Sequence, residues 1–157
     1  MIRIEDMRES DVEACIDIDL EAFTPAEMAI GKEDPRAVRA RHFREELART
    51  WARLRVARSE DGVVVGYTLS WHVADEAQLL NVAVGVSSRR KGIGRLLVED
   101  LVAHARKTSA ARVLLEVRAS NVAAIAMYEA LSFERFNLRA GYYADGEDAV
   151  EMWRELG

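Results

Sequence analysis

The amino-acid sequence predicts one α/β domain spanning residues 1–157. Three observations carry that prediction. Apolar residues recur at the helical period in four stretches, with β-branched and aromatic runs between them. One of those runs, 77–86 (AQLLNVAVGV), has nearly continuous apolar character, as expected of a central strand buried on both faces, and 113–117 (VLLEV) is another apolar strand. No repeat, low-complexity tract or linker composition divides the chain, whose length suits a single core.

The elements follow in order. Ile2 to Asp6 alternates and reads as a strand. Ser10 stands three residues before Glu13, a capping-box spacing that begins a helix with Val12, Cys15, Ile16 and Leu20 on its inner side. Pro25 ends this helix or follows its end, and residues 24–37, with Gly31 and Pro35, read as an irregular connection. A second helix is expected from about Val38 to Arg53, with Phe43, Leu47, Trp51 and Leu54 inward. Leu54–Arg58 and Val63–His72 read as strands joined by the turn Ser59-Glu60-Asp61-Gly62. The strand 77–86 comes next, and SSRRKGIG leads into a helix whose apolar positions are Ile93, Leu96, Leu97, Leu101, Val102 and Ala105. Val113–Val117 is a strand, Asn121 opens a helix to about Leu131, and Phe133–Ala140 and Asp148–Trp153 pair across a turn near Asp145-Gly146. The predicted order is β-α-α-β-β-β-α-β-α-β-β.

Composition narrows the partners. The formal charge is −5, from 22 basic and 27 acidic residues, which does not suit general binding to nucleic acid or to an anionic membrane. The seven arginines between Arg36 and Arg55 read as a solvated face with local ion pairs. The single cysteine, Cys15, has no internal disulfide partner, and no cysteine or histidine spacing suggests a metal site. The N-terminus has no apolar signal region and no stretch reaches membrane-span length, so the expected location is the cytoplasm.

The most informative stretch is Asn81–Leu97, NVAVGVSSRRKGIGRLL. A buried strand ends, the chain turns through Arg89-Arg90-Lys91-Gly92-Ile93-Gly94, and an amphipathic helix begins. Gly92 and Gly94 leave backbone N–H groups open to an anion, and the helix start adds unpaired N–H groups and the positive end of its dipole. Arg89, Arg90, Lys91 and Arg95 gather four cations there in an acidic protein. The turn is not a P-loop, because GxxxxGK[ST] is absent, nor a dinucleotide fingerprint, because position 97 is Leu97. A second stretch, Leu114–Phe133, places Glu116 on an apolar strand, where a carboxylate is costly unless paired or solvated, and Tyr128 on the next helix. Taken alone, each reads better as an ordinary structural residue, Glu116 in a strand-edge ion pair and Tyr128 as a core aromatic.

The turn matches the R/Q-x-x-G-x-G/A pattern and so resembles the GCN5-related N-acetyltransferase family, which holds the pyrophosphate of acetyl-CoA on it. EVRASN, AAIAMYEALSF and RAGYYADGEDAVEM further resemble the RimI type of that family, over about Val64–Met152. The likeness is weaker over 24–55, and the family's common Gly-Phe is Ser132-Phe133 here. The resemblance implies a mixed, mostly antiparallel sheet with helices on both faces, and a cofactor seat where the strands at 79–86 and 112–117 splay apart. It implies Glu116 as general base and Tyr128 as general acid. Val82, Ala83 and Val84 would present backbone groups to the acetyl and pantetheine arm, and Asn121 would contact the pantetheine or its water. Arg89, Arg90, Lys91, Gly92, Ile93, Gly94 and Arg95 would hold the pyrophosphate. Tyr142 and Tyr143 would either cover an acceptor peptide or be plain hairpin aromatics. The implied activity is acetyl transfer, by direct attack and without a metal, to the N-terminal amine of a protein, a ribosomal protein in the RimI type. A lysine, a small-molecule amine, or a silent acyl-CoA-binding module are the alternatives.

Overall fold

The computed structural model describes residues 1–24 and 31–157. Pro25 and part of the expected 24–37 connection lie outside the described residues. Strands β1 (Arg3–Asp6), β2 (Ala52–Arg58), β3 (Val64–Val73), β4 (Glu76–Val84), β5 (Arg112–Arg118), β6 (Glu134–Arg139) and β7 (Ala149–Glu155) form one sheet. Its order is β1-β2-β3-β4-β5-β7-β6. All neighbours are antiparallel except β4 and β5, which run parallel. The helices are α1 (Val12–Ala22), α2 (Pro35–Ala48), α3 (Ile93–Lys107) and α4 (Val122–Ala130).

The period-two alternation of the strands divides the core between two faces. Leu54, Val56, Tyr67 and Leu69 face Val12, Cys15, Ile16 and Ile18 of α1 and Phe43 of α2. On the other face, Ala57 meets Ile93 and Leu97 of α3. Leu79, Val113, Leu115, Val117 and Met152 pack there against Val98 and Leu101 of α3 and Ile125 and Tyr128 of α4. The helices thus lie on both faces, as expected. The α1/α2 layer covers only part of its face. Accordingly β4, which the sequence expects to be buried on both faces, is exposed at Gln78 and only half-buried over Leu80–Val82, and β5 alternates buried with half-buried residues, with Glu116 on the side that α1 and α2 do not cover.

The parallel β4–β5 pairing runs from Glu76↔Arg112 to Leu79↔Leu115 and stops there. Beyond it both strands continue, β4 to Val84 and β5 to Arg118, without pairing to each other. The divergence begins where β4 carries an irregularity. Leu69 pairs with Asn81 and Ser70 with Leu79, so Leu80 is the extra residue of a bulge.

Several sequence expectations change. Ser10 does not cap α1; the Asp11 carboxylate accepts from the Arg8 N–H at 3.0 Å instead, in a short 3-10 turn before the helix. Pro35 is the first residue of α2 rather than part of a loop, where its fixed φ and missing N–H cost nothing. The same helix ends at Ala48 because Arg49 is extended and Ala52 already pairs with Trp71 across the sheet. Trp51 therefore leaves the helical face and is 45% exposed, not core. Leu96 is likewise exposed on α3. The arginines of 36–55 do form ion pairs, but mostly with partners distant in sequence, and Arg39 is buried against Asp19 rather than solvated.

Candidate functional site

The divergence of β4 from β5 opens a cleft of about 530 Å³ between the strands, with α4 as one wall. Val82, Val84, Glu116, Asn121, Met127, Tyr128 and Tyr143 line it, and Phe23 at the end of α1 reaches it. That volume suits a small-molecule site. The cleft continues over the α3 entry through Val84, Arg89, Gly94 and Met127, which also line a groove holding Arg90, Gly92 and Arg95.

The α3 entry has the backbone that its sequence calls for. Gly92 is the N-cap at φ 76, left-handed, and Arg90 also has positive φ at 65. The first helical bond of the turn is Leu96 N–H to Gly92 C=O, so the N–H groups of the first turn before it have no helix partner. A Cβ built on Gly94 would lie 3.6 Å from Met127 Sδ and 3.8 Å from Val84 Cγ2, so a side chain there would occupy the groove. Arg90 and Lys91 are exposed. Arg95 pairs with Glu99 along the helix at 3.1 Å. Arg89 donates from Nε to the Val84 carbonyl at 3.2 Å, tying the turn to β4. Ile93 is buried under Leu97, so only its backbone faces an anion. The combination of open N–H groups, unfilled space and cations fits a pyrophosphate.

The strand edge on the cleft can be read from its partner. The Gly85 N–H bonds to Val65 C=O in β3. Backbone groups alternate sides along a strand, so Val84 and Val82 turn theirs toward the cleft while Ala83 turns toward β3. Of the three residues expected to present backbone groups to a cofactor, Val82 and Val84 turn theirs toward the cleft, and Ala83 pairs with Tyr67.

Asn121 has a structural duty. It is the N-cap of α4, its side-chain oxygen accepting from Ala124 N–H at 3.2 Å. That cap fixes α4, which carries Tyr128 two turns on. Tyr128 is buried, and burial, reinforced by Tyr143, pushes its phenol pKa upward. It is therefore protonated at neutral pH. The Phe133 N–H bonds to Tyr128 C=O and the Phe133 ring lies edge-on to Tyr128 at 5.8 Å. Ser132 makes this reversal at φ 70, in the position where the family commonly has glycine.

Tyr142 and Tyr143 come back over Glu116. The Glu116 carboxylate lies close enough to the Tyr142 hydroxyl to raise the Tyr142 pKa. Burial, with Glu116 nearby, pushes Tyr143 up to about 12. Arg118 holds their loop: it stacks on Tyr143 at 4.1 Å and pairs with Asp145 and Glu147. Tyr143 lines the cleft and Tyr142 lies beside Glu116.

A second cavity of about 400 Å³ lies on the open face of the sheet. Trp71, Gln78, Leu114, Arg139 and Glu151 line it, together with Glu116, the residue it shares with the first cleft. Sequence reasoning found none of the others. They come from five strands, β3 to β7, and carry no local motif. Met127 and Ala124 also escaped notice, although their helical spacing from Asn121 and Tyr128 could have placed them. Among the described residues, no group of acidic, histidine or cysteine side chains is arranged to hold a metal ion, and no helix is long and apolar enough to cross a membrane.

Comparison with known proteins agrees with this geometry. The model of the acetyltransferase (GNAT) family matches residues 12–133. The [ribosomal protein bS18]-alanine N-acetyltransferase of Escherichia coli strain K12 is 43% identical over 97 residues, covering 60% of this chain and 66% of that one. An N-alpha-acetyltransferase of Saccharolobus solfataricus is 39% identical over 109 residues, covering 61% and 65%. The chain thus spans just under two thirds of the length of these relatives. The crystal structure of the ribosomal-protein-S18-alanine N-acetyltransferase from Escherichia coli superposes with a TM-score of 0.82 at 31% identity, covering 100% of this chain and 95% of that one. A phosphate-ready turn at the mouth of a parallel-strand divergence, and a family match across most of the chain, lead to one conclusion: this chain belongs to the GNAT acetyltransferase family.

Proposed function

We propose that this chain transfers an acetyl group from acetyl-CoA to the N-terminal α-amine of a protein, with a ribosomal protein as the acceptor class suggested by its relatives. One observation carries the reading: two cavities, one running to the phosphate turn and one open to the other face, share Glu116. A donor and an acceptor entering from opposite sides would meet at that carboxylate.

Each residue then has a task. The turn from Arg89 to Arg95 binds pyrophosphate through backbone N–H groups and the charges of Arg90 and Lys91. Val82 and Val84 orient the pantetheine arm along the strand edge, with Asn121 beside it. Glu116, directly or through a water, takes the proton released as the amine attacks. The Val84 N–H, turned to the cleft, faces the developing oxyanion. The Tyr128 hydroxyl, kept protonated by burial, gives its proton to the departing thiolate. Tyr142 and Tyr143 cover the acceptor. Cys15 takes no part: it is buried and its thiol pKa is pushed up by burial, so no acyl-thiol intermediate forms on it.

The α-amine suits this base. An amine of pKa about 8 is neutral in about one molecule in ten at pH 7, and a lysine of about 10.4 in roughly one in 2,500. The acceptor-side cavity has Asp75, Glu76, Glu116 and Glu151 in its lining against Arg139 alone, which favours a cationic peptide. The test is an alanine-starting basic peptide incubated with enzyme and acetyl-CoA. One acetyl group on the α-amine, located by mass spectrometry, is expected. Turnover confined to a lysine or a small amine, or acetyl-CoA binding without any turnover, would contradict the reading.

A further inference from the structure

The acceptor-side cavity has an aromatic wall that is fixed from behind. Trp71 lines it from β3. The Trp71 indole N–H donates to Glu46 Oε1 at 2.8 Å. Glu46 lies in the last turn of α2 and is only 2% exposed. Its other oxygen accepts from Arg49 Nη1 at 2.5 Å, and the Arg49 guanidinium also stands over the Trp71 ring at 5.6 Å. A buried carboxylate is costly unless each oxygen is engaged, and here both are. Neither Glu46 nor Arg49 lines either cavity; each reaches the site only through the indole.

A tryptophan on a half-covered sheet face would otherwise be free to change rotamer. The N–H bond sets the ring's rotation and the guanidinium sets its tilt. The ring is thereby fixed before an acceptor arrives, which lowers the ordering cost of binding. We infer that Glu46 is a positioning residue for the acceptor: through Trp71 it sets the shape of the acceptor-side wall, and the α2 segment tunes acceptor affinity without touching the acceptor. The inference rests on the reading that this cavity receives the acceptor. It also gives a task to α2, which lies in the 24–55 segment where the sequence resemblance to the family is weaker.

The experiment is two-substrate kinetics on wild type, Glu46→Ala, Glu46→Gln and Trp71→Phe. The alanine-starting peptide and a lysine peptide are run in parallel, and the analysis follows whichever amine the wild type uses. Glu46→Ala is expected to raise KM for the acceptor about tenfold while KM for acetyl-CoA stays within about twofold. Glu46→Gln keeps an oxygen for the indole N–H and is expected to stay near wild type. Trp71→Phe keeps a ring but loses the N–H, and is expected to raise acceptor KM about threefold, again without an effect on acetyl-CoA. The unchanged acetyl-CoA KM shows that the variants are folded. If Glu46→Ala does not fold, the other two variants decide. Acceptor KM unmoved by Trp71→Phe, both KM values rising together, or Glu46→Gln as impaired as Glu46→Ala would each overturn the inference. A wild type that acetylates only the lysine peptide contradicts the N-terminal reading and leaves the role of Glu46 to be decided on that peptide.

Discussion

The two sides of Glu116 are built differently. The side proposed for the cofactor comes from one contiguous stretch, the end of β4 through the start of α3, with α4 added. It works mainly through backbone: the left-handed Gly92, the open N–H groups of the α3 entry and the cleft-facing groups of Val82 and Val84. The side proposed for the acceptor comes from scattered segments and presents side chains: Trp71, Arg139 and Glu151 in its lining, Glu46 behind Trp71, and Tyr142 beside Glu116. A site made of backbone is specified by glycine placement and strand divergence, and suits a co-substrate shared by a whole family. A site made of side chains can be changed one residue at a time without disturbing the fold, and suits an acceptor that differs between members.

The largest expected effects lie at the boundary between the two sides. Tyr128→Phe keeps the edge contact with Phe133 and should lower kcat by roughly 10²–10⁴-fold with little change in acetyl-CoA affinity. A wild-type rate, with chemistry shown to be limiting, would leave Tyr128 as a core residue. Glu116→Gln should lose most activity near pH 7 and regain part of it at higher pH, where the amine deprotonates unaided. A pH profile parallel to wild type would remove Glu116 as the base.

Next come changes that separate the sides. Gly92→Asp brings a like charge to the phosphates and strains φ 76, and should raise KM for acetyl-CoA at least about tenfold while the acceptor KM holds. A Cβ on Gly92 meets nothing within 4 Å, so Gly92→Ala isolates the strain and should cost much less affinity. Calorimetry showing equal cofactor affinity for wild type and Gly92→Asp would move the phosphate site elsewhere. On the acceptor side, rates with a basic peptide should fall as salt rises, because exposed carboxylates steer it.

Two smaller effects concern the scaffold. His72 and His104, far apart in sequence, meet edge-on at 5.0 Å. Burial, aided by His104 and Arg53, lowers the His72 pKa to about 4, and burial lowers that of His104 too. The unfolded chain, with histidines near 6.5, then binds protons before the native state does. Stability is complete above that pH and declines as pH falls toward 4, by about 2 kcal/mol after allowance for partial exposure. Urea midpoints at pH 7 and pH 5 should differ in wild type and much less in His72→Gln; equal shifts would exonerate the histidine. Ser132→Gly should stabilise by about 1 kcal/mol, because serine at φ 70 carries a left-handed penalty that glycine lacks. A lower midpoint in that variant would contradict it.

Much of this was legible in the sequence, and the boundary follows the same division. The order of elements along the chain and the glycine-containing basic turn before α3 sit in local patterns that one stretch of chain can display, whereas Glu116 and Tyr128 stand out only through the family resemblance of their segments. Trp51 was misplaced because helical spacing continued on paper while the β2–β3 ladder captured the backbone from Ala52. Arg39 read as solvated because its partners, Asp19 and the Phe43–Tyr67 neighbourhood, are brought there by the packing of α1 on α2. Ala83 could not be told from Val82 and Val84 until the register with β3 fixed which way each turned. The Glu46–Trp71 bond joins residues 25 apart in sequence, and no motif announces it.

The central claim is that Glu116 serves an N-terminal amine, and one measurement tests it most directly. A single basic peptide bearing both a free alanine N-terminus and an internal lysine is incubated with enzyme and acetyl-CoA across a pH series, and the product is mapped by mass spectrometry. At pH 7 the difference in deprotonation between the two amines is worth roughly 3 kcal/mol. The account predicts acetyl on the α-amine at every pH near neutrality, with lysine product rising only as the solution becomes alkaline. Acetyl found mainly on the lysine at neutral pH would contradict it.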